Sequence, residues 1–281
     1  MNDIDKNMLK KMADTIRFLS ADMIEAANSG HPGAPFGLAD ILTVLSTKLS
    51  HNPKDPNWLN RDRVIFSGGH TSAMIYSWLH LCGYDLELEE LKRFRQYMSR
   101  TPGHPEKEHP VGIEITTGPL GQGVANAVGF SVASRYMQNI LGKESIDHKV
   151  YCSCGDGDIP EGIVYEAFSL AGHLGLENLV VIFDNNNITI EGAATISFSE
   201  DVEARFKAQK WDVVRIDGHD YQAIDSALEG SETQTKPLLI IANTKIANVS
   251  ATKKVSHKAH GSPLGKEDIA ASKRLAVFDP S

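Results

Sequence analysis

Apolar positions near the amino end of the chain recur at helical spacing. Met12, Ile16, Leu19, Met23 and Ile24 share one face of segment 8–27. The run stops at Asn28-Ser29-Gly30, a helix-ending signal. Segment 37–49 reads as a second helix, and 51–60, rich in Pro, Asn and Asp, reads as a loop. The pattern then changes to short β-branched or aromatic runs, most of them closing on Gly, Asp or Asn. Arg63-Val-Ile-Phe66 leads into Ser67-Gly-Gly-His70, and 149–154 into Gly155-Asp-Gly157. Segment 179–183 leads into Asp184-Asn-Asn-Asn187, 212–216 into Asp217-Gly-His219, and a further run spans 237–241. Helical patterns at 72–81, 122–140, 162–174 and 222–228 lie between these runs.

Strands alternating with helices predict an α/β chain, a three-layer sandwich around a mainly parallel sheet. Near-continuous apolar strands fit central positions in such a sheet. Ligands of open α/β sheets bind beyond the carboxyl ends of the strands, which is where the Gly, Asp and Asn clusters fall. The stretch 98–120, with its Pro, Gly and His residues, is longer than a plain connector.

Composition narrows the classes. At 281 residues the chain is one large domain or two small ones, long enough for a substantial core. A net charge of −8 gives no general basic field for nucleic acid. No run reaches the roughly 18 apolar residues of a membrane span. The polar start of the chain has no apolar signal core. Cys82, Cys152 and Cys154 have no disulfide-framework or zinc spacing. The chain is therefore placed in the cytoplasm, with Cys152 and Cys154 packing within a strand.

Three features carry candidate chemistry. Gly155-Asp156-Gly157-Asp158 and Asp184 to Ile188 follow consecutive buried strands, so the fold can bring a carboxylate, an amide oxygen and a carbonyl to one point. Those are hard ligands for Mg²⁺ or Ca²⁺ shared with a diphosphate; the same residues also suit two Asx-rich turns that merely end strands. Pro160 and Glu161 exclude an EF-hand. Thr116-Thr-Gly-Pro-Leu-Gly-Gln-Gly123 precedes a helix whose amino end can attract a phosphate. It lacks the Lys-Ser/Thr of a P-loop and also reads as a plain loop-to-helix junction. Finally, His31, His70, His104 and His260 all lie in loops beside Gly or Pro, where imidazoles can bind phosphate or move protons. No His pair has zinc spacing on one element.

With these motifs in order, the chain resembles the amino-terminal, thiamine diphosphate-binding part of the transketolase family. The matching stretches are Ser29-Gly-His-Pro-Gly33, Gly69-His70, Thr101-Pro-Gly-His-Pro-Glu106, 116–123, Gly155-Asp-Gly157 with Glu161-Gly162, 184–188, Asp217-Gly-His-Asp220 and His260-Gly-Ser-Pro263. The resemblance implies Asp156, Asn186 and the Ile188 carbonyl as metal ligands. It implies His70, Gly118, Pro119, Leu120, Gly157, Asn186 and His260 as thiamine diphosphate contacts. His31, His104 and His260 become the proton-handling residues. His31, Arg95 and His260 face a sugar phosphate substrate, and Glu161 couples two active sites. The implied reaction moves a two-carbon ketol unit from a ketose phosphate to an aldose phosphate.

No segment resembles the family's pyrimidine-binding or C-terminal domains. The resemblance therefore implies a single thiamine diphosphate-binding domain over 1–281, either a fragment or one subunit of a split transketolase whose active site is completed by a C-terminal partner subunit in a heterotetramer. Two features depart from the family. Segment 245–256 has no glycine where a Gly-rich loop is usual, and Asp158 adds a carboxylate beside Gly155-Asp-Gly157. Both leave room for an unusual sugar, sulfonated or branched. The other enzyme class in view is a thiamine diphosphate-dependent 2-oxo acid decarboxylase or dehydrogenase, which the four histidines fit less well.

Overall fold

The computed structural model describes residues 6–107, 109–190 and 192–276. Helices α1 (Lys6–Ala27) and α2 (Gly33–Ser46) precede strand β1 (Arg63–Phe66), followed by α3 (Ser72–Leu81), α4 (Leu88–Lys92) and α5 (Gln122–Leu141). Then come β2 (Val150–Gly155), α6 (Gly162–Leu174), β3 (Leu179–Asn185) and a small hairpin of β4 (Ile188–Thr189) and β5 (Gly192–Ala193). The chain continues through α7 (Val202–Ala208), β6 (Asp212–Asp217), α8 (Tyr221–Gly230), β7 (Leu238–Asn243) and α9 (Lys266–Leu275).

The main sheet has five parallel strands in the order β1-β2-β3-β7-β6. Strand side chains alternate between two apolar layers. Tyr151, Val180, Ile182, Leu238 and Ile240 pack with α1, α2, α3 and α8. Cys152, Cys154, Val181, Phe183, Leu239 and Ile241 pack with α5, α6 and α7. The three-layer expectation holds, and both strand cysteines are buried among apolar side chains with their thiols pushed up by burial. A third apolar cluster joins Phe18, Phe36, Ala259, Leu264 and Ile269, which ties segment 257–265 and α9 back onto α1 and α2. No helix among the described residues is long and apolar enough to cross a membrane.

Register puts the site together. Gly155 lies opposite Asp184, and Asp184 opposite Ala242. After β3 the chain passes over one strand position to β6 and returns through α8 to β7. The loops after β2, β3, β6 and β7 therefore leave from one edge, where α/β sheets hold ligands.

Most predicted elements are present, with shifted ends. The second helix starts at Gly33 rather than 37, because Pro35 falls in its first turn, where the backbone N–H has no helical partner to lose. Helices α4, α7 and α9 and the β4–β5 hairpin were not expected from the pattern. Two of the helices are a turn or two long, and α9 has a mostly polar sequence.

Candidate functional site

A cleft of about 540 Å³ opens at the carboxyl edge of the sheet, lined by His31, His70, His104, His260, Gly118, Leu120, Asp156, Gly157, Asn186 and Ile188. These residues come from seven separate stretches, so tertiary folding assembles the whole set.

The loop after β3 is organised by the loop after β2. Asp156 Oδ2 accepts the Asn187 N–H at 2.9 Å and the Asn186 N–H at 3.1 Å. Asn187 takes a left-handed φ of 60°, which turns the chain back into the β4–β5 hairpin. Asn186 donates its side-chain amide to Asp184 at 2.9 Å, and its Oδ1 accepts the Ile188 N–H at 2.9 Å. Burial, then the neighbouring Asp184, pushes the Asp156 carboxyl up to about 7. Burial likewise pushes Asp184 up to about 6, against the hydrogen bonds from Thr244 and Asn186. Two buried carboxyls side by side disfavour ionisation and favour a cation. Among the described residues no group of three His, Cys, Asp or Glu side chains could hold a metal. A metal here needs an amide or carbonyl oxygen beside Asp156.

Glycine permits the loops to close on one another. A Cβ at Gly69 would lie 2.8 Å from the Thr117 and Gly118 backbone, and one at Gly123 would lie 2.4 Å from Ser67 Cα. A Cβ at Gly157 would meet Leu120 Cδ1 at 2.8 Å. The 116–123 loop thus lies directly on the Ser67-Gly-Gly-His70 turn and on Gly157. Gly121, at a φ of 79°, ends the loop as the N-cap of α5.

The four imidazoles form one cluster in the same cleft. Ring centroids of His31 lie 5.3 Å from His70, 5.6 Å from His260 and 6.4 Å from His104, and those of His70 and His260 lie 5.1 Å apart. Burial, then His260, Arg95 and His104, lowers His31 to about 4. Burial and the neighbouring rings lower His70 to about 3. His104 is lowered by burial and Arg95, and His260 by burial. The cluster is neutral near pH 7, so each ring offers one N–H donor and one acceptor nitrogen.

Three of the expected site residues lie off the cleft lining. Arg95, half-buried behind His31, donates to Ser29 Oγ at 2.8 Å and to the Gly103 carbonyl at 3.4 Å, with His31 Nδ1 also 3.4 Å away. Pro119 lies within the 116–123 loop, and its carbonyl accepts the Gln122 N–H at 3.4 Å. Glu161 is exposed at the N-cap of α6, with its Cβ beside Gly121.

Asp158 is not a free carboxylate. It is 1% exposed and accepts Ser67 Oγ at 2.6 Å, the Gly121 N–H at 2.7 Å and the Gly155 N–H at 2.9 Å. It ties three loops together and also lines the cleft. The glycine-free segment keeps left-handed φ values at Ala247, Val249 and Val255. Its start is bonded by Ala247 N–H to the Gly33 carbonyl at 3.0 Å. Ile246, Phe198 and Ile190 also line the cleft. Sequence reading missed them because apolar side chains outside a motif carry no chemical signal.

The sequence signature described as "Transketolase, thiamine diphosphate binding domain" matches residues 8–281. The chain belongs to the transketolase thiamine diphosphate-binding domain family. It is 50% identical to Transketolase 1 of Pasteurella multocida over 276 residues, covering 96% of this chain and 41% of that protein. It is 51% identical to Transketolase 2 of Escherichia coli over 271 residues, covering 94% and 41%. A crystal structure of transketolase from Campylobacter jejuni matches with a TM-score of 0.98 and 59% identity, over 99% of this chain and 44% of that one. A Pichia stipitis transketolase in complex with sedoheptulose 7-phosphate matches with a TM-score of 0.95 and 43% identity, over 98% and 41%. The chain thus spans about two fifths of its curated relatives' length. The transketolase-like fold and the thiamine diphosphate-binding character expected from the motifs are borne out.

Proposed function

We propose that this chain forms the diphosphate- and metal-holding domain of a transketolase, a transferase that moves a two-carbon ketol unit from a ketose phosphate to an aldose phosphate. The observation that carries this reading is the cleft itself. A buried carboxylate–amide loop and four neutral imidazoles line one cavity. The described residues act as one such domain.

The donor set fits the cofactor. Asp156, the Asn186 amide oxygen and the Ile188 carbonyl would hold Mg²⁺ or Ca²⁺, with diphosphate oxygens completing the shell. Gly118, Pro119, Leu120, Gly157, Asn186, His70 and His260 would cradle thiamine diphosphate. Bound, that cofactor supplies the electron sink for carbon–carbon cleavage. The chain's own residues orient and move protons. His31, His104 and His260, neutral near pH 7, can each donate an imidazole N–H to a substrate oxygen and offer the other nitrogen as a proton acceptor. Arg95, 3.4 Å from His31 Nδ1, would bind the phosphate of the sugar substrate. Glu161, exposed at the start of α6, is available to couple two sites across an interface.

The rest of the active site would come from a C-terminal transketolase polypeptide, in a heterotetramer. Exposed apolar side chains support this: Val132, Tyr136 and Ile140 recur every fourth residue on α5, and Leu170 and Leu174 do so on α6. The three cysteines, all free, suit a cytoplasmic location. The decisive test is ketol transfer from xylulose 5-phosphate to ribose 5-phosphate with thiamine diphosphate and Mg²⁺. The chain is assayed alone and mixed with a C-terminal transketolase polypeptide. Activity only in the mixture is expected; activity of the chain alone would overturn the shared-site reading.

A further inference from the structure

The Asp217-Gly-His-Asp220 turn contributes nothing to the cleft lining, yet three of its residues have clear local tasks. Gly218 N–H bonds the Asn243 carbonyl at 2.9 Å and extends the β6–β7 pairing; a Cβ there would lie 2.6 Å from Thr244 Cγ2. Asp217 accepts the His219 N–H at 2.9 Å, and Asp220 caps α8 through Gln222 N–H at 2.9 Å. The His219 side chain remains. Its Nδ1 lies 2.8 Å from Asp40 on α2, and its Nε2 lies 3.0 Å from the backbone nitrogen of Lys245.

The two contacts fix one tautomer. A backbone N–H can only donate, so Nε2 must be the acceptor and Nδ1 must carry the proton. Asp40 is ionised: burial opposes this, but His219, Arg17 and Tyr221 outweigh it and hold the carboxyl below its usual range. Asp40 also takes hydrogen bonds from Arg17 and, at 2.8 Å, from Tyr221. Asn248 Nδ2 lies 3.1 Å from the same Nδ1. Since Nδ1 gives its proton to the carboxylate, that amide is better turned with its oxygen toward the ring.

What His219 holds is the first turn of the loop after β7. Lys245 lies between Thr244, which donates to Asp184, and Ile246, which lines the cleft. Ile246 also packs so closely on Gly33 that a Cβ there would lie 2.6 Å from its Cγ1. We propose that His219 is a positioning residue: oriented by Asp40, it accepts the Lys245 N–H and holds the Ile246 wall against the 31–33 turn of the cleft. This rests on the cleft being the thiamine diphosphate site.

Two isosteric variants separate the contacts. His219→Gln keeps an acceptor at the Nε2 position, and His219→Asn keeps only a donor at the Nδ1 position. Amide hydrogen exchange of segment 245–249 is measured in the chain by itself. Mg²⁺-dependent thiamine diphosphate binding is measured in the chain with a C-terminal transketolase polypeptide. His219→Gln is expected to stay within about twofold of wild type in both. His219→Asn is expected to exchange roughly tenfold faster at 245–249 and to bind roughly tenfold more weakly, the scale of one lost hydrogen bond. Equal behaviour of the two variants would overturn the proposal. Wild-type protein that fails to bind thiamine diphosphate would instead sink the functional reading, and the exchange data would still judge His219. Should His219→Asn not fold, ¹⁵N spectra of wild-type His219 decide: a proton on Nδ1 supports the proposal, and a proton on Nε2 refutes it.

Discussion

Asp156, at the end of β2, accepts the backbone N–H of Asn187, beyond the end of β3, at 2.9 Å. The 30 or so residues between the two strand ends are bridged by adjacent parallel strands, in which Gly155 faces Asp184. One carboxylate thus shapes the loop that carries the other candidate metal ligands. It does so in a buried position that opposes its ionisation unless a cation is present.

Asp156→Asn should therefore have two opposite effects. Mg²⁺-dependent thiamine diphosphate binding should weaken by at least about 100-fold, as expected for losing a ligand whose supporting residues alone are worth 10–100-fold. Without metal, the same variant should be more stable than wild type at pH 8 and show little gain at pH 4. The sign follows from the Asp156 carboxyl being raised to about 7 from 3.8. The stability linked to it is present at low pH and lost as pH rises through about 7. Thermal unfolding at both pH values in chelator checks it; a variant less stable at pH 8 would refute the account.

The histidine cluster predicts an acid-side loss. His31 at about 4 and His70 at about 3 both lie below the ordinary 6.5. Between pH 6.5 and 4 the unfolded chain takes up protons that the folded chain refuses, so stability falls as pH falls. His70→Asn should flatten this part of the melting-temperature profile. A variant profile parallel to wild type would mean that His70 is not held neutral by the fold.

Asp158→Ala should destabilise the chain by about 3 kcal/mol or more, because it leaves Ser67 Oγ and the Gly121 and Gly155 N–H groups without their acceptor. Urea unfolding measures this. The milder Asp158→Asn should leave the ranking of donor sugars unchanged when assayed with a C-terminal polypeptide, since both carboxylate oxygens already accept hydrogen bonds from the loops.

Two glycines of α5 should respond oppositely to alanine. Gly123→Ala places a Cβ against the Ser67 backbone and should cost about 3 kcal/mol. Gly129, exposed with open space around it, should gain roughly 0.5–1 kcal/mol from helix propensity. Denaturant midpoints of both variants test whether the α5 start is as tightly seated on β1 as the geometry requires.

Much of this protein was legible in its sequence for a simple reason. Period and punctuation are local properties. The apolar runs at Val150–Gly155 and Leu179–Asn185, each closing on Gly, Asp or Asn, announce buried strands with ligand loops at their ends. The thiamine diphosphate character was legible because its motifs are contiguous: Gly155-Asp-Gly157, 116–123 and the four loop histidines. The α2 start lies four residues ahead of the expected Gly37, because Pro35 in the first helical turn gives up no hydrogen bond. Asp158 read as a departure because a carboxylate looks the same in sequence whether it faces substrate or three loop donors. Ile246 and His219 were invisible as parts of one wall. Their meeting depends on β7 inserting between β3 and β6, which brings the ends of β6 and β7 side by side, with Asp217 opposite Asn243. Local chemistry thus determined which loops bind. Long-range strand order, fixed by burying both faces of the sheet at once, decided which side chains hold those loops in place.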